Sequence, residues 1–211
     1  MGNKKGIIIY VKSVVLLFLG VFLYGCNSET FTTEKELLDY IMIEENGFTQ
    51  SKTVNGYDFQ LTYKPTDLLV EQEIGNLITD AKVKILREKY NKHLYFILSM
   101  SKNNQELLNE RAGDRNEFGV MVNQLAFGMN EKVHLYTQSK DTIALVDFVY
   151  PRMYGMSRST SILFIYPKEE NKLKEETLSF TIEDLGLYTG EVKFKIDTNI
   201  IKNEPQLSFK N

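Results

Sequence analysis

Side chains able to do chemistry are few and scattered along the 211 residues: one cysteine, Cys26, and two histidines, His93 and His134, far apart in sequence. Acid-base or metal chemistry at the histidines would need the fold to bring both beside a carboxylate. Isolated histidines at strand edges are ordinarily surface groups or satisfied core groups. Gly155-Met156-Ser157-Arg158-Ser159 lacks the final glycine of a nucleophile elbow, and a strand pattern rather than a helix follows it. Glu169-Glu170 and Glu175-Glu176 sit among lysines and read as solvated turns, without the fixed oxygen spacing of a calcium loop. Met153 and Met156 have no histidine or cysteine companions, so they read as core filling and not as a copper site. There is no Gly-rich phosphate loop, His-x-x-x-His pair or CxxC, and no cofactor or metal is assigned.

Two features are left. Pro151 to Arg158 places Arg152, Tyr154 and Arg158 in a long connection between strand-like runs. Arg and Tyr combine large contact area with directional polar groups, which makes this the candidate partner-binding patch. The competing reading is a loop packed on its own domain. The second feature is Cys26 and what precedes it. Lys4, Lys5 and Lys12 lead into an uncharged apolar run from Ser13 to Leu23, and the run ends in Leu23-Tyr24-Gly25-Cys26. A run this short falls well below the roughly 20 residues of a spanning helix, which favours export and cleavage over permanent insertion.

This leader resembles the signal peptide and lipobox of bacterial lipoprotein precursors, with Tyr24 bulkier than the pattern usually carries. The resemblance implies cleavage after Gly25 and a diacylglyceryl thioether on Cys26. Two acyl chains hold a protein stably at a bilayer where one does so only marginally. Asn27 follows the cysteine; by the same resemblance an aspartate there would indicate inner-membrane retention, so the outer membrane or cell surface is expected. A lone cysteine also excludes an intramolecular disulfide. The mature segment is similar to uncharacterised envelope lipoproteins, a likeness that implies no activity.

The precursor carries a net charge of −3, and removing the leader's three lysines takes the mature chain to about −6. Such a chain has no electrostatic reason to seek nucleic acid or anionic lipid, and the lipid on Cys26, not a basic patch, is expected to make the membrane contact.

The elements that must position these residues follow from local pattern. Asn27 to Thr32 reads as a tether. Thr33-x-x-Glu36 is a capping box for a helix to about Glu45. Thr49–Val54 and the alternating Tyr57, Phe59, Leu61, Tyr63 flank Asn55-Gly56, which predicts a hairpin. After Pro65, Thr66-Asp67 caps one helix to about Tyr90, weakened at Gly75. Leu94–Met100 reads as a buried strand. Residues 102–115 read as a surface excursion with a helical turn near Leu107, and 116–129 fits helix and strand equally. Val133–Thr137, Ile143–Tyr150, Ile162–Tyr166, Leu178–Ile182 and Val192–Ile196 read as strands, with Leu207 and Phe209 able to pair at an edge.

The expected protein is α+β: N-terminal helices with a β-hairpin, then a C-terminal antiparallel β-sandwich-like half. Its divisions are a signal peptide (1–25), a lipidated tether (26–33), an α+β part (34–130) and a sandwich part (131–211), the last two able to form one domain. The expected function is a non-catalytic binding or assembly role in the bacterial cell envelope, with an envelope protein as partner and no nucleic acid. Two alternatives are a hydrolase using His134 or His93 with nearby acids, and a carrier holding an apolar ligand among Phe164, Phe180 and Phe194.

Overall fold

Local signals set most element boundaries in the computed structural model, which describes residues 28–153 and 155–209. Strand β1 (Thr30–Phe31) precedes helix α1 (Glu34–Met42), whose start is the predicted capping box: the Thr33 hydroxyl accepts from the Glu36 N–H and the Glu36 carboxylate accepts from the Thr33 N–H. A 3₁₀ turn follows and ends at Gly47, φ 81°. Strands β2 (Thr49–Val54) and β3 (Tyr57–Tyr63) form the hairpin, with Asn55 at φ 51° and Gly56 at φ 77°, the pair of positive angles a type I′ turn requires.

The single helix expected from Thr66 to Tyr90 is two helices, α2 (Thr66–Ile74) and α3 (Asp80–Tyr90). Gly75 separates them at φ 64°, ψ −161°, a conformation open in practice to glycine alone. Thr79 restarts the chain as a helix by accepting from the Lys82 N–H. The apolar period runs on through the break because both helices face one small core of Val70, Ile74, Val83 and Leu86.

Strand β4 (His93–Ser101) is followed by a short α4 (Leu107–Glu110) and by α5 (Arg115–Asn123), which continues through a π turn at Gln124–Gly128. The ambiguous stretch is thus helical. Asp114 caps it by accepting from the N–H groups of Asn116 and Glu117, and Met121, Leu125 and Met129 turn inward at four-residue steps. The expected surface excursion is pinned from inside, since Glu106, Leu107 and Leu108 are buried.

The remaining elements are β5 (Val133–Thr137), β6 (Thr142–Ile143), β7 (Asp147–Val149), β8 (Thr160–Pro167), β9 (Thr177–Ile182), β10 (Val192–Asp197), α6 (Thr198–Lys202) and β11 (Gln206–Leu207). They complete an antiparallel five-stranded sheet, β2-β3-β4-β8-β7, an antiparallel four-stranded sheet, β10-β9-β5-β6, and a parallel pair, β1-β11. The run from Ile143 to Tyr150 is therefore two short strands in different sheets, and the expected tether contributes a strand. The five-stranded sheet draws strands from both sides of residue 131, so the C-terminal strands do not form a half of their own. Alternation identifies a strand's buried face, whereas its hydrogen-bond neighbour is chosen by contacts far away in sequence.

The two larger sheets meet through their apolar faces. Ile162, Phe164 and Tyr166 on β8 and Leu178, Phe180 and Ile182 on β9 are buried, and the Phe180 ring lies 5.6 Å from Phe164 and 5.8 Å from Phe96. Each such aromatic pair adds about 0.5–1.5 kcal/mol to the effect of burial. Edge strands are secured too: Gln50 and Lys52 on β2 donate to the carbonyls of Lys195 and Lys193 on β10, which occupies groups that would otherwise template aggregation. Among the described residues, no helix is long and apolar enough to cross a membrane.

Register gives the five-stranded sheet two distinct ends. Tyr63, His93 and Pro167 mark one; Tyr57, Ser101 and Thr160 mark the other. Along the eight residues of β8 the ends are roughly 24 Å apart.

Candidate functional site

At the first end, helices α2 and α3 and the segment after α6 enclose a groove of about 770 Å³. Asp67 in the first turn of α2 and Arg87 in the last turn of α3 form a two-pronged pair. Nε donates to Oδ1 at 2.8 Å and Nη2 to Oδ2 at 2.6 Å, and the Asp67 side chain is only 4% exposed. The same pair grips β11: the Leu207 N–H donates to Asp67 at 2.7 Å, and Arg87 donates to the Leu207 carbonyl at 3.0 Å. The Arg87 guanidinium also lies over the Phe209 ring.

A second carboxylate, Glu204, accepts from the Tyr63 hydroxyl at 2.6 Å, from Lys168 Nζ at 2.7 Å and from the Thr66 N–H at 2.8 Å. It thereby satisfies a free donor at the start of α2, where Pro65 offers no side-chain cap. Burial, and then the Glu204 charge, raises the Tyr63 hydroxyl well above its ordinary pKa, and burial takes Tyr95 up to about 12. Burial also lowers the ammonium of Lys64, which donates to Gln72 Oε1 at 2.9 Å. Asp67 and Glu204 are thus fully committed to holding the C-terminal segment. What faces the open groove is a rim of Ser28, Asp80, Lys84, Glu88, Asn91 and Lys202, suited to polar or charged contact.

At the second end stands the loop singled out by sequence. Arg152 and Arg158 are both exposed, and Tyr154 lies outside the described residues. Met153 and Met156 are 42% and 79% exposed, which corrects their reading as core filling. The backbone of the loop is nonetheless held from beneath: the Ser157 N–H donates at 2.9 Å to Glu106 Oε1, a residue 2% exposed, and the Leu107 N–H donates to Thr160 Oγ1 at 3.0 Å. Gly155, at φ 80°, completes the turn. Nearby, Glu110 accepts from the Tyr57 hydroxyl and pairs with Lys102 at 2.8 Å. Burial pushes the Glu110 carboxyl up, but these partners outweigh it and leave the group below its ordinary pKa.

Cys26 lies outside the described residues. His93 opens β4 while His134 is on β5 in the other sheet, where its Nε2 sits 3.1 Å from Glu183, so the fold does not bring the histidines together. Among the described residues no three or more histidine, cysteine, aspartate or glutamate side chains cluster as metal ligands. Phe164, Phe180 and Phe194 are fully buried, and the first two meet ring to ring where the expected apolar cavity would lie. The sequence pattern marks Asp67 as part of a helix cap, whereas it lies inside α2 and binds Arg87, and the pattern gives no sign of Arg87, Lys168, Glu204 or Glu106 as partners. Recognising the break at Gly75 would have suggested the Asp67–Arg87 pair; nothing local signals Glu204 or Glu106. Comparison with protein-family models, curated proteins and solved structures finds no match.

Proposed function

We propose that this chain is an exported lipoprotein of the bacterial cell envelope, attached through a diacylglyceryl thioether on Cys26, probing its surroundings as a non-catalytic binding or assembly component. The observation that carries the attachment is the run of three lysines, an uncharged apolar segment and Leu23-Tyr24-Gly25-Cys26. Support for the binding role comes from the loop at 151–158. Arg152, Met153, Met156 and Arg158 stand in solvent, yet their backbone is fastened to a buried carboxylate. A fastened backbone lowers the entropy cost of engaging a partner, and exposed Arg and Met suit a protein surface. The body is read as a sandwich of the two larger sheets, on the strength of the ring contacts between them, and the anchor is assigned to the outer membrane or cell surface from Asn27.

Mass spectrometry of the purified protein tests the attachment. The expected result is a polypeptide beginning at Cys26 with the diacylglyceryl mass added, and a Cys26→Ser variant that leaves the membrane fraction. An intact Met1 on a soluble chain would overturn the reading. For the binding role, capture of an envelope protein should be lost in the Arg152→Ala, Tyr154→Ala, Arg158→Ala triple variant; unchanged capture removes the loop.

A further inference from the structure

Helix α3 stands out against the acidic body of the protein. Residues 75–93 carry five basic groups, Lys82, Lys84, Arg87, Lys89 and Lys92, against two acids, Asp80 and Glu88. This local excess lies in a mature chain of about −6. Most of it is consumed within the fold, since Arg87 grips Asp67, Lys89 pairs with Glu73 and Lys82 donates to the Ile74 carbonyl. Lys84 and Lys92 remain exposed, and the Lys84 contact to Glu88 is long, at 4.0 Å, between side chains 79% and 65% exposed. Lys202, across the groove, is exposed as well.

The same unit presents apolar groups that the core does not take. Ile85 is 63% exposed on α3 and Leu77 is 73% exposed in the link before it, while Val83 and Leu86 supply the buried face of the helix. Ile85 lies one residue, about 100°, round the helix from Lys84. Lys84 and Lys92 interleaved with these aliphatic groups, next to the exposed acids Asp80 and Glu88, make an amphipathic surface able to settle into the headgroup region of a bilayer.

Position relative to the anchor selects this occupant. Ser28 borders the groove together with Lys84 and Glu88 of α3 and Asn91 just after it. Cys26 is two residues earlier, and two residues span at most about 7 Å. A lipid on Cys26 therefore enters the bilayer beside α3.

We infer that the α2–α3 link and the outer face of α3 dock on an anionic phospholipid surface, through Leu77 and Ile85 among Lys84 and Lys92. The loop at 151–158 then points away from that surface at the far end of the five-stranded sheet. This inference rests on the lipid attachment proposed above. It gives the attached protein a fixed orientation: the groove end faces lipid and the Arg152–Arg158 loop faces outward.

The chain lends itself to a direct test because Cys26 is its one cysteine, and the thioether occupies that sulfur. In the full lipidated protein, Ile85→Cys or Met156→Cys then supplies a single free thiol for a fluorophore. Each is reconstituted into phosphatidylglycerol vesicles containing lipids with a quencher near the headgroup. The label at position 85 should be quenched several-fold more than the label at position 156. Adding Lys84→Glu and Lys92→Glu should lower the ratio of docked to undocked protein, by at least about fivefold per lysine reversed, with the protein still in the vesicle pellet. Equal quenching at both positions in a pelleted, lipidated protein overturns the docking alone. Quenching that is unchanged by the charge reversals also overturns it, because tether length would then account for the contact. A crosslink from the position-85 thiol to a second polypeptide, in place of lipid quenching, would identify a protein occupant and overturn it likewise. A protein with a bare Cys26 that stays out of the pellet overturns the attachment, and the docking with it.

Discussion

The two ends of the five-stranded sheet solve one problem with different chemistry. Each must hold an irregular segment against the sheet, and each does so with buried or half-buried carboxylates. At the groove end Asp67 and Glu204 meet cations, Arg87 and Lys168, as well as backbone N–H groups. At the loop end Glu106 holds Ser157 through a neutral backbone donor, and the cations Arg152 and Arg158 stay in solvent. Cations spent on internal acids stabilise the fold; cations left outside are available to a partner. This difference gives the polar interior of the groove a mainly structural role and leaves the loop's two arginines exposed to solvent.

Breaking the groove clamp should have the largest effect. Asp67→Ala leaves Arg87 without its partner and frees β11, with an expected loss of about 3–5 kcal/mol in denaturant unfolding. A loss under about 1 kcal/mol would erase the contrast between the ends. At the loop end Glu106→Ala should cost about 1–3 kcal/mol, since it strands the Ser157 N–H. It should also make residues 151–158 a site of rapid protease cleavage, whereas Glu106→Gln, which keeps an acceptor oxygen, should restore resistance.

Alkaline titration bears on both ends, because burial raises Tyr63 and Tyr95 at the groove end and Tyr57 at the loop end. A hydroxyl whose pKa is higher in the folded state keeps its proton there after the unfolded chain has lost it, so its contribution is present below about pH 10 and is lost as pH rises towards its folded value. Stability should therefore fall above pH 10. Tyr63→Phe should flatten that fall relative to its own stability at neutral pH, as read from unfolding midpoints between pH 8 and 11. The smallest effect on stability belongs to the loop cations: Arg152→Ala with Arg158→Ala should stay within about 0.5 kcal/mol of the parent while partner capture is lost.

Much of this architecture is legible in the linear chain where neighbours decide it. Thr33 and Glu36 cap their own helix, Asn55-Gly56 turns its own hairpin, and the alternation of Leu178–Ile182 and Val192–Ile196 marks a buried face in each strand. Gly75 was visible as a weak point, but propensity alone could not distinguish a strained helix from a break; the positive φ decides it. The candidate sites divide in the same way. Arg152 and Arg158 were visible because their residue types and loop context are local, while Glu106, which fastens that loop, is separated from Ser157 by 51 positions and has no pattern of its own.

By itself, then, the sequence determined the identity of most helices and strands, because those depend on residues within a few positions of one another. Tertiary structure alone decided that strands from both halves share a sheet, that Asp67 and Glu204 are consumed in holding the C-terminal segment, and that the groove and the Arg152–Arg158 loop sit at opposite ends. Strand pairing and carboxylate partnership are settled by which distant groups exclude water together, and one-dimensional spacing carries no record of that.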